Sequence, residues 1–221
     1  TRPTQSPAGY PIEVRPGEDR PMAVNLSGVP VVLLPGTGSD DDYVYRAFAG
    51  PLHDLGAVVL AQPPRPGRLV AGYLEALDEA ARPGPIAVGG VSIGAAVAAA
   101  WALSHPGRAV AVLAALPPWT GEPDTAPAAL SARHTAAALR RDGLVATTAA
   151  MRASSPRWLA DELSRSWLDQ WPELPDAMAE VASYVAPHSV ELERLDAPMG
   201  VVAASDDPIH PLEVALEWVS A

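Results

Sequence analysis

The chain has 221 residues, enough to bury one substantial core and too few for two independent domains of ordinary size. Hydrophobic residues make up 48% and charged residues 19%, which excludes wholesale disorder, and no apolar run approaches the roughly 20 residues that cross a bilayer. A net charge of -11 repels a polyanionic partner such as nucleic acid, and the absence of cysteine excludes disulfides, a thiolate nucleophile and Cys-ligated metals.

Taken in chain order, the N-terminal stretch lacks the apolar core of a secretory signal, and Ile12–Val14 and Met22–Leu26 are weak candidates for edge strands. The clearer pattern begins at Gly28. Short apolar runs rich in β-branched residues and bounded by Gly or Pro predict buried parallel strands at 28–35, 57–61, 86–91, 109–116 and 199–204. Segments of helical length alternate with them at 42–55, 69–82, 92–104 and 211–221, with Asp40, Asp41 and Asp42 favouring the start of the first. This alternation predicts an α/β fold with a doubly wound, mostly parallel sheet.

Residues 121–195 break the rhythm. They carry helical patterns without a convincing strand, so the reading divides the chain into a core of 1–120 and 196–221 with an inserted helical cap over 121–195. Leu159, Leu163, Trp167 and Trp171 recur every four residues and predict one helix stripe. Trp158, Trp167 and Trp171 read first as packing anchors. An apolar acyl group beneath such a cap fits the same pattern.

The sharpest chemical signal is Gly89-Gly-Val-Ser-Ile-Gly94, a Gly-x-Ser-x-Gly pattern placed after an apolar strand and before an alanine-rich helix. A serine on so tight a turn is pushed clear of the sheet's carboxyl edge at a helix N-terminus, whose free amides favour developing negative charge. Glycines flank it because a Cβ there would strike the neighbouring strand and helix.

These residues resemble the nucleophile elbow of the α/β-hydrolase family. Two further segments are similar to that family in the order it uses. Val31-Val-Leu-Leu-Pro-Gly-Thr-Gly38 resembles the loop that lends a backbone amide to the oxyanion hole, with Pro35 where histidine is common. Val201 to Pro211 resembles the segment that carries the family's acid, with Ala204 at its glycine position. The resemblance therefore implies Ser92 as nucleophile, Thr37 and Ile93 as oxyanion-hole amides, and Asp207 as the acid, with Asp206 the adjacent alternative. Either aspartate also fits a helix cap before Pro211.

The family's histidine follows the acid by a further helix and strand, and only the helix is visible before Ala221. The reading therefore expects the catalytic imidazole beyond Ala221. His210 reads as a rim residue, His53 and His105 as helix-end residues, and His134 and His188 as part of the cap. No pair has a zinc-binding spacing. Asp40–Asp42 read as a helix start before a cation site, and Arg65 and Arg68 as a solvated loop before a phosphate contact.

The function so implied is a cytoplasmic, cofactor-independent serine hydrolase of the carboxylesterase or thioesterase kind, acting on a small-molecule acyl substrate without nucleic acid or a membrane span. The rival is a non-catalytic protein of the same fold that binds a small apolar ligand, and it requires no histidine near Ser92. A nucleotide-binding reading of Gly36–Gly38 or Gly89–Gly90 fails for want of a complete glycine-rich motif and of any lysine.

Overall fold

The computed structural model describes residues 24–221. Five strands, β1 (Pro30–Leu34), β2 (Val58–Ala61), β3 (Ile86–Val91), β4 (Ala109–Ala115) and β5 (Met199–Val202), form one sheet in the order β2-β1-β3-β4-β5, every neighbouring pair parallel. Each falls within the run that predicts it. Ile12–Val14 lies outside the described residues, as do the first two residues of Met22–Leu26, and Val24–Leu26 is not a strand.

Helices α1 (Asp41–Asp54), α2 (Leu69–Ala81), α3 (Ile93–Ser104) and α8 (Leu212–Ser220) supply the connections and cover both faces. The period of two along β1 assigns the faces. Val31 and Leu33 pack with Val44, Ala49 and Leu52 of α1, whereas Val32 and Leu34 pack with Leu69, Tyr73 and Leu77 of α2 and with α3. Full burial of each such side chain contributes about 1.5–3 kcal/mol. The alanine-rich α3 is buried on nearly every side, because small side chains let it lie close to the sheet.

Between β4 and β5 the chain forms α4 (Pro127–Ser154), α5 (Arg157–Gln170), α6 (Leu174–Val181) and the short α7 (Ser189–Leu192). Gly143, at φ 79° and ψ 172°, breaks α4. Polar contacts tie this segment to the sheet layer, among them Gln170, which donates to the Ser39 carbonyl at 3.0 Å, and Glu180, which accepts the Leu69 and Val70 amides that open α2, at 2.8 and 3.2 Å. Trp171 departs from the expected stripe. Its backbone is extended at the end of α5, and the following Pro172, having no N–H, cannot continue the helix.

The chain leaves β1 toward β2 on one side and returns to β3 on the other. The carboxyl ends of β1 and β3 thus flank the point where strand order reverses, which is where open α/β sheets bind ligands.

Candidate active site

Ser92 sits at that point. It links β3 to α3 at φ 54° and ψ −119°, a backbone conformation costly for any residue with a Cβ and held here from both sides. Its amide donates to the Ala115 carbonyl of β4 at 2.9 Å, and its carbonyl accepts the amides of Ala95 and Ala96 at 2.9 and 3.2 Å. The flanking glycines are required by space. A Cβ on Gly90 would come within 2.7 Å of the Gly94 carbonyl carbon, and one on Gly94 within 2.8 Å of the Pro35 carbonyl oxygen.

The loop after β1 closes against this turn. A Cβ on Gly36 would lie 3.5 Å from that of Ser92 and 3.3 Å from the Val91 carbonyl oxygen. Fully buried Tyr73 donates its hydroxyl to the Pro35 carbonyl at 3.3 Å, and burial raises its pKa, so the phenol stays protonated to do so. Among the described residues, neither the Thr37 nor the Ile93 backbone N–H has a protein acceptor.

The third contribution comes from the loop after β5. Asp207 Oδ1 accepts the amides of Ile209 and His210 at 2.8 and 3.2 Å, folding the chain into a tight turn. That turn sets His210 Nδ1 at 2.8 Å from Asp207 Oδ2 and His210 Nε2 at 2.9 Å from Ser92 Oγ. A carboxylate only accepts, so Nδ1 carries the ring proton and Nε2 is free to accept the serine hydroxyl. Burial alone would raise the Asp207 pKa. The His210 hydrogen bond and charge and the two amides outweigh it, and the carboxyl is held below its ordinary value.

The expectation of an imidazole beyond Ala221, with His210 at the rim, is corrected by this geometry. Asp207 and His210 leave the same turn. The available signal was Asp207-Pro-Ile-His210 itself, since an Asp-Pro turn returns its fourth residue toward its first. Of the two aspartates, the structure brings Asp207 to the ring, while Asp206 is exposed.

No protein-family model matches the chain, and no curated protein sequence matches it. Solved structures do. A carboxylesterase of the ammonia-oxidizing thaumarchaeon Nitrososphaera gargenis is similar with a TM-score of 0.71 at 17% identity, over 87% of this chain and 78% of that one. MenH from S. aureus gives 0.67 at 16%, over 88% and 81%. A thermophilic esterase from Thermogutta terrifontis gives 0.62 at 22%, over 88% and 78%. The chain has the α/β-hydrolase fold.

In this α/β-hydrolase scaffold the remaining candidates take structural places. Asp40 caps α1 by accepting the Tyr43 amide at 2.8 Å, and Arg165 of α5 reaches both Asp40 and Asp42 at 3.1 Å. Arg65 and Arg68 both pair with Glu75. His105 stacks on Trp101 with ring centroids 4.6 Å apart, and His53 ends α1. His134 is exposed on α4, and His188 precedes α7. Trp158 is half exposed and stacks on Tyr43, whereas Trp167 is buried against Met178. Among the described residues, no cluster of three or more His, Asp or Glu side chains is arranged to hold a metal, and no helix is long and apolar enough to cross a membrane.

Proposed function

We infer that this protein is a serine hydrolase that cleaves a carboxylic ester or thioester through an acyl-enzyme on Ser92. The observation that carries the reading is the continuous contact from Asp207 through His210 to Ser92, 2.8 and 2.9 Å long. A nucleophile, a base within hydrogen-bond reach and a group that orients the base are the three parts this chemistry needs. The esterases among the structural neighbours are consistent with it.

In the first half-reaction Ser92 Oγ attacks the carbonyl carbon while His210 Nε2 takes the hydroxyl proton. The tetrahedral oxygen accepts the amides of Thr37 and Ile93, and loss of one such donor raises the barrier by about 3 kcal/mol. His210 gives the proton to the departing alkoxide or thiolate. Water then attacks the acyl-enzyme as His210 removes its proton, the acid leaves, and Ser92 recovers its hydrogen. Asp207 stabilises the imidazolium in both halves and stays ionised. The helices of 121–195 act as the cap that screens this chemistry from bulk water.

A fluorophosphonate tests the reading directly. Intact mass should rise by a single adduct that maps to the peptide containing Ser92, and the adduct should be absent from Ser92→Ala. A folded protein that takes up no label on Ser92 would overturn the reading.

A further inference from the structure

Leu116 breaks the pattern that the rest of its strand keeps. Along β4 the side chains serve the two faces of the sheet, Val112 and Ala114 on the α3 face and Ala111 and Leu113 on the α1 face. The same alternation would place Leu116 with Val112 and Ala114. Instead its φ is 51°, it stays partly exposed, and it packs into none of the three apolar clusters of the described residues. A left-handed backbone is unfavourable for a side chain of this size, and Pro117, the next residue, favours an extended one. Among the described residues, the other non-glycine with a positive φ is Ser92, at 54°.

The two outliers are joined by a single peptide group. The Ala115 carbonyl accepts the Ser92 amide at 2.9 Å, and the Leu116 N–H of the same peptide donates to the Val202 carbonyl at 2.7 Å. Val202 ends β5, from which the loop of Asp207 and His210 departs. Leu116 is thus fixed at the carboxyl edge of the sheet, between Ser92 and the loop that brings His210 to it. Strained residues persist where their surroundings hold them, and they gather at functional sites. Here a large apolar side chain forgoes core burial and accepts an unfavourable backbone, and nothing in the described core offsets the two losses.

Its side of Ser92 indicates which half of a substrate it meets. In the hydrolase reading the oxyanion accepts the amides of Thr37 and Ile93, and the departing atom lies within reach of His210 Nε2, which arrives from beyond β5. Because β4 lies between β3 and β5, Leu116 is on the His210 side of Ser92, away from the loop after β1. We propose that Leu116 is a specificity-determining residue whose side chain forms an apolar wall against the alcohol or thiol half of the substrate. The substrate class is thus an ester or thioester with an alkyl or other apolar leaving group. This inference rests on the serine-hydrolase reading and adds to it the nature of the leaving group.

The test compares two ratios of kcat/KM in wild type, Leu116→Ala and Leu116→Gly. The leaving-group ratio is hexyl acetate over ethyl acetate, and the acyl ratio is ethyl hexanoate over ethyl acetate. Wild type should favour hexyl acetate over ethyl acetate by about tenfold or more, since each methylene seated against an apolar wall adds to transition-state binding. Leu116→Ala should cut that leaving-group ratio by about threefold or more and leave the acyl ratio within about twofold of wild type. Leu116→Gly should do the same, and because glycine accepts the positive φ freely it serves should Leu116→Ala not fold. A leaving-group ratio near one in wild type, one that survives the substitutions, or an acyl ratio that falls as far overturns the inference. If Ser92 takes the fluorophosphonate while the leaving-group ratio is unmoved or no ester is turned over, this inference fails and the hydrolase reading stands. No label on Ser92 overturns both.

Discussion

His210 Nε2 lies 2.9 Å from Ser92 Oγ although 118 positions separate the two residues. The serine is delivered by the centre of the sheet and the imidazole by a loop beyond its last strand. What joins them is parallel order, which brings the carboxyl ends of β3 and β5 to one edge.

Replacing Asp207 separates the two aspartates. Asp207→Asn should lower kcat by about 10⁴-fold, since an amide neither stabilises the imidazolium nor enforces the Nδ1–H tautomer. Asp206→Asn should stay within about twofold of wild type. Steady-state rates on one ester decide, and a larger loss in Asp206→Asn would reassign the acid.

Acid sensitivity follows from the same carboxyl. Its folded pKa lies below the unfolded value, so its contribution to stability is complete above the ordinary carboxylate value and is lost as pH falls through the lower folded one. Urea midpoints recorded between pH 7 and pH 2.5 should therefore fall more steeply in wild type than in Asp207→Asn. Parallel curves would deny the carboxylate this linkage.

At the turn itself, Gly94→Ala should destabilise the protein by about 3 kcal/mol or more, because its methyl would meet the backbone carbonyls of Leu34 and Pro35. Backbone in a central strand cannot yield as a flexible side chain does. Ser92 should also lose fluorophosphonate reactivity in whatever fraction folds. Denaturation curves and labelling read the two effects separately, and wild-type values for both would contradict the packing described.

Across the helical segment, Glu180→Ala should cost about 1 kcal/mol, the usual consequence of removing a cap from a helix N-terminus. The contact is long-range, from α6 to the first two amides of α2. Denaturant unfolding measures the loss, and a change under about 0.3 kcal/mol would mean that water replaces the carboxylate without penalty.

The strands, the helices that follow four of them and the elbow were legible in the sequence because each depends on neighbours in the chain. Apolar runs, helix starts and the Gly-x-Ser-x-Gly turn impose their geometry locally. Thr37, Ile93, Ser92 and Asp207 could be singled out as candidates on motif alone. The Asp207-Pro-Ile-His210 turn hinted at His210, but its contact with Ser92 depends on where the loop after β5 lies relative to β3, and strand order fixes that. Trp171 was misread for a related reason: a period of four continues through a residue whose backbone has already turned away. Trp167 shows the limit most plainly. Its spacing predicts a buried packing residue, which it is, but only the folded chain leaves its N–H without an acceptor against Gly38. Local chemistry determined the elements and the turn that presents Ser92. Long-range packing decided which imidazole meets that serine and which buried indole N–H is left without an acceptor.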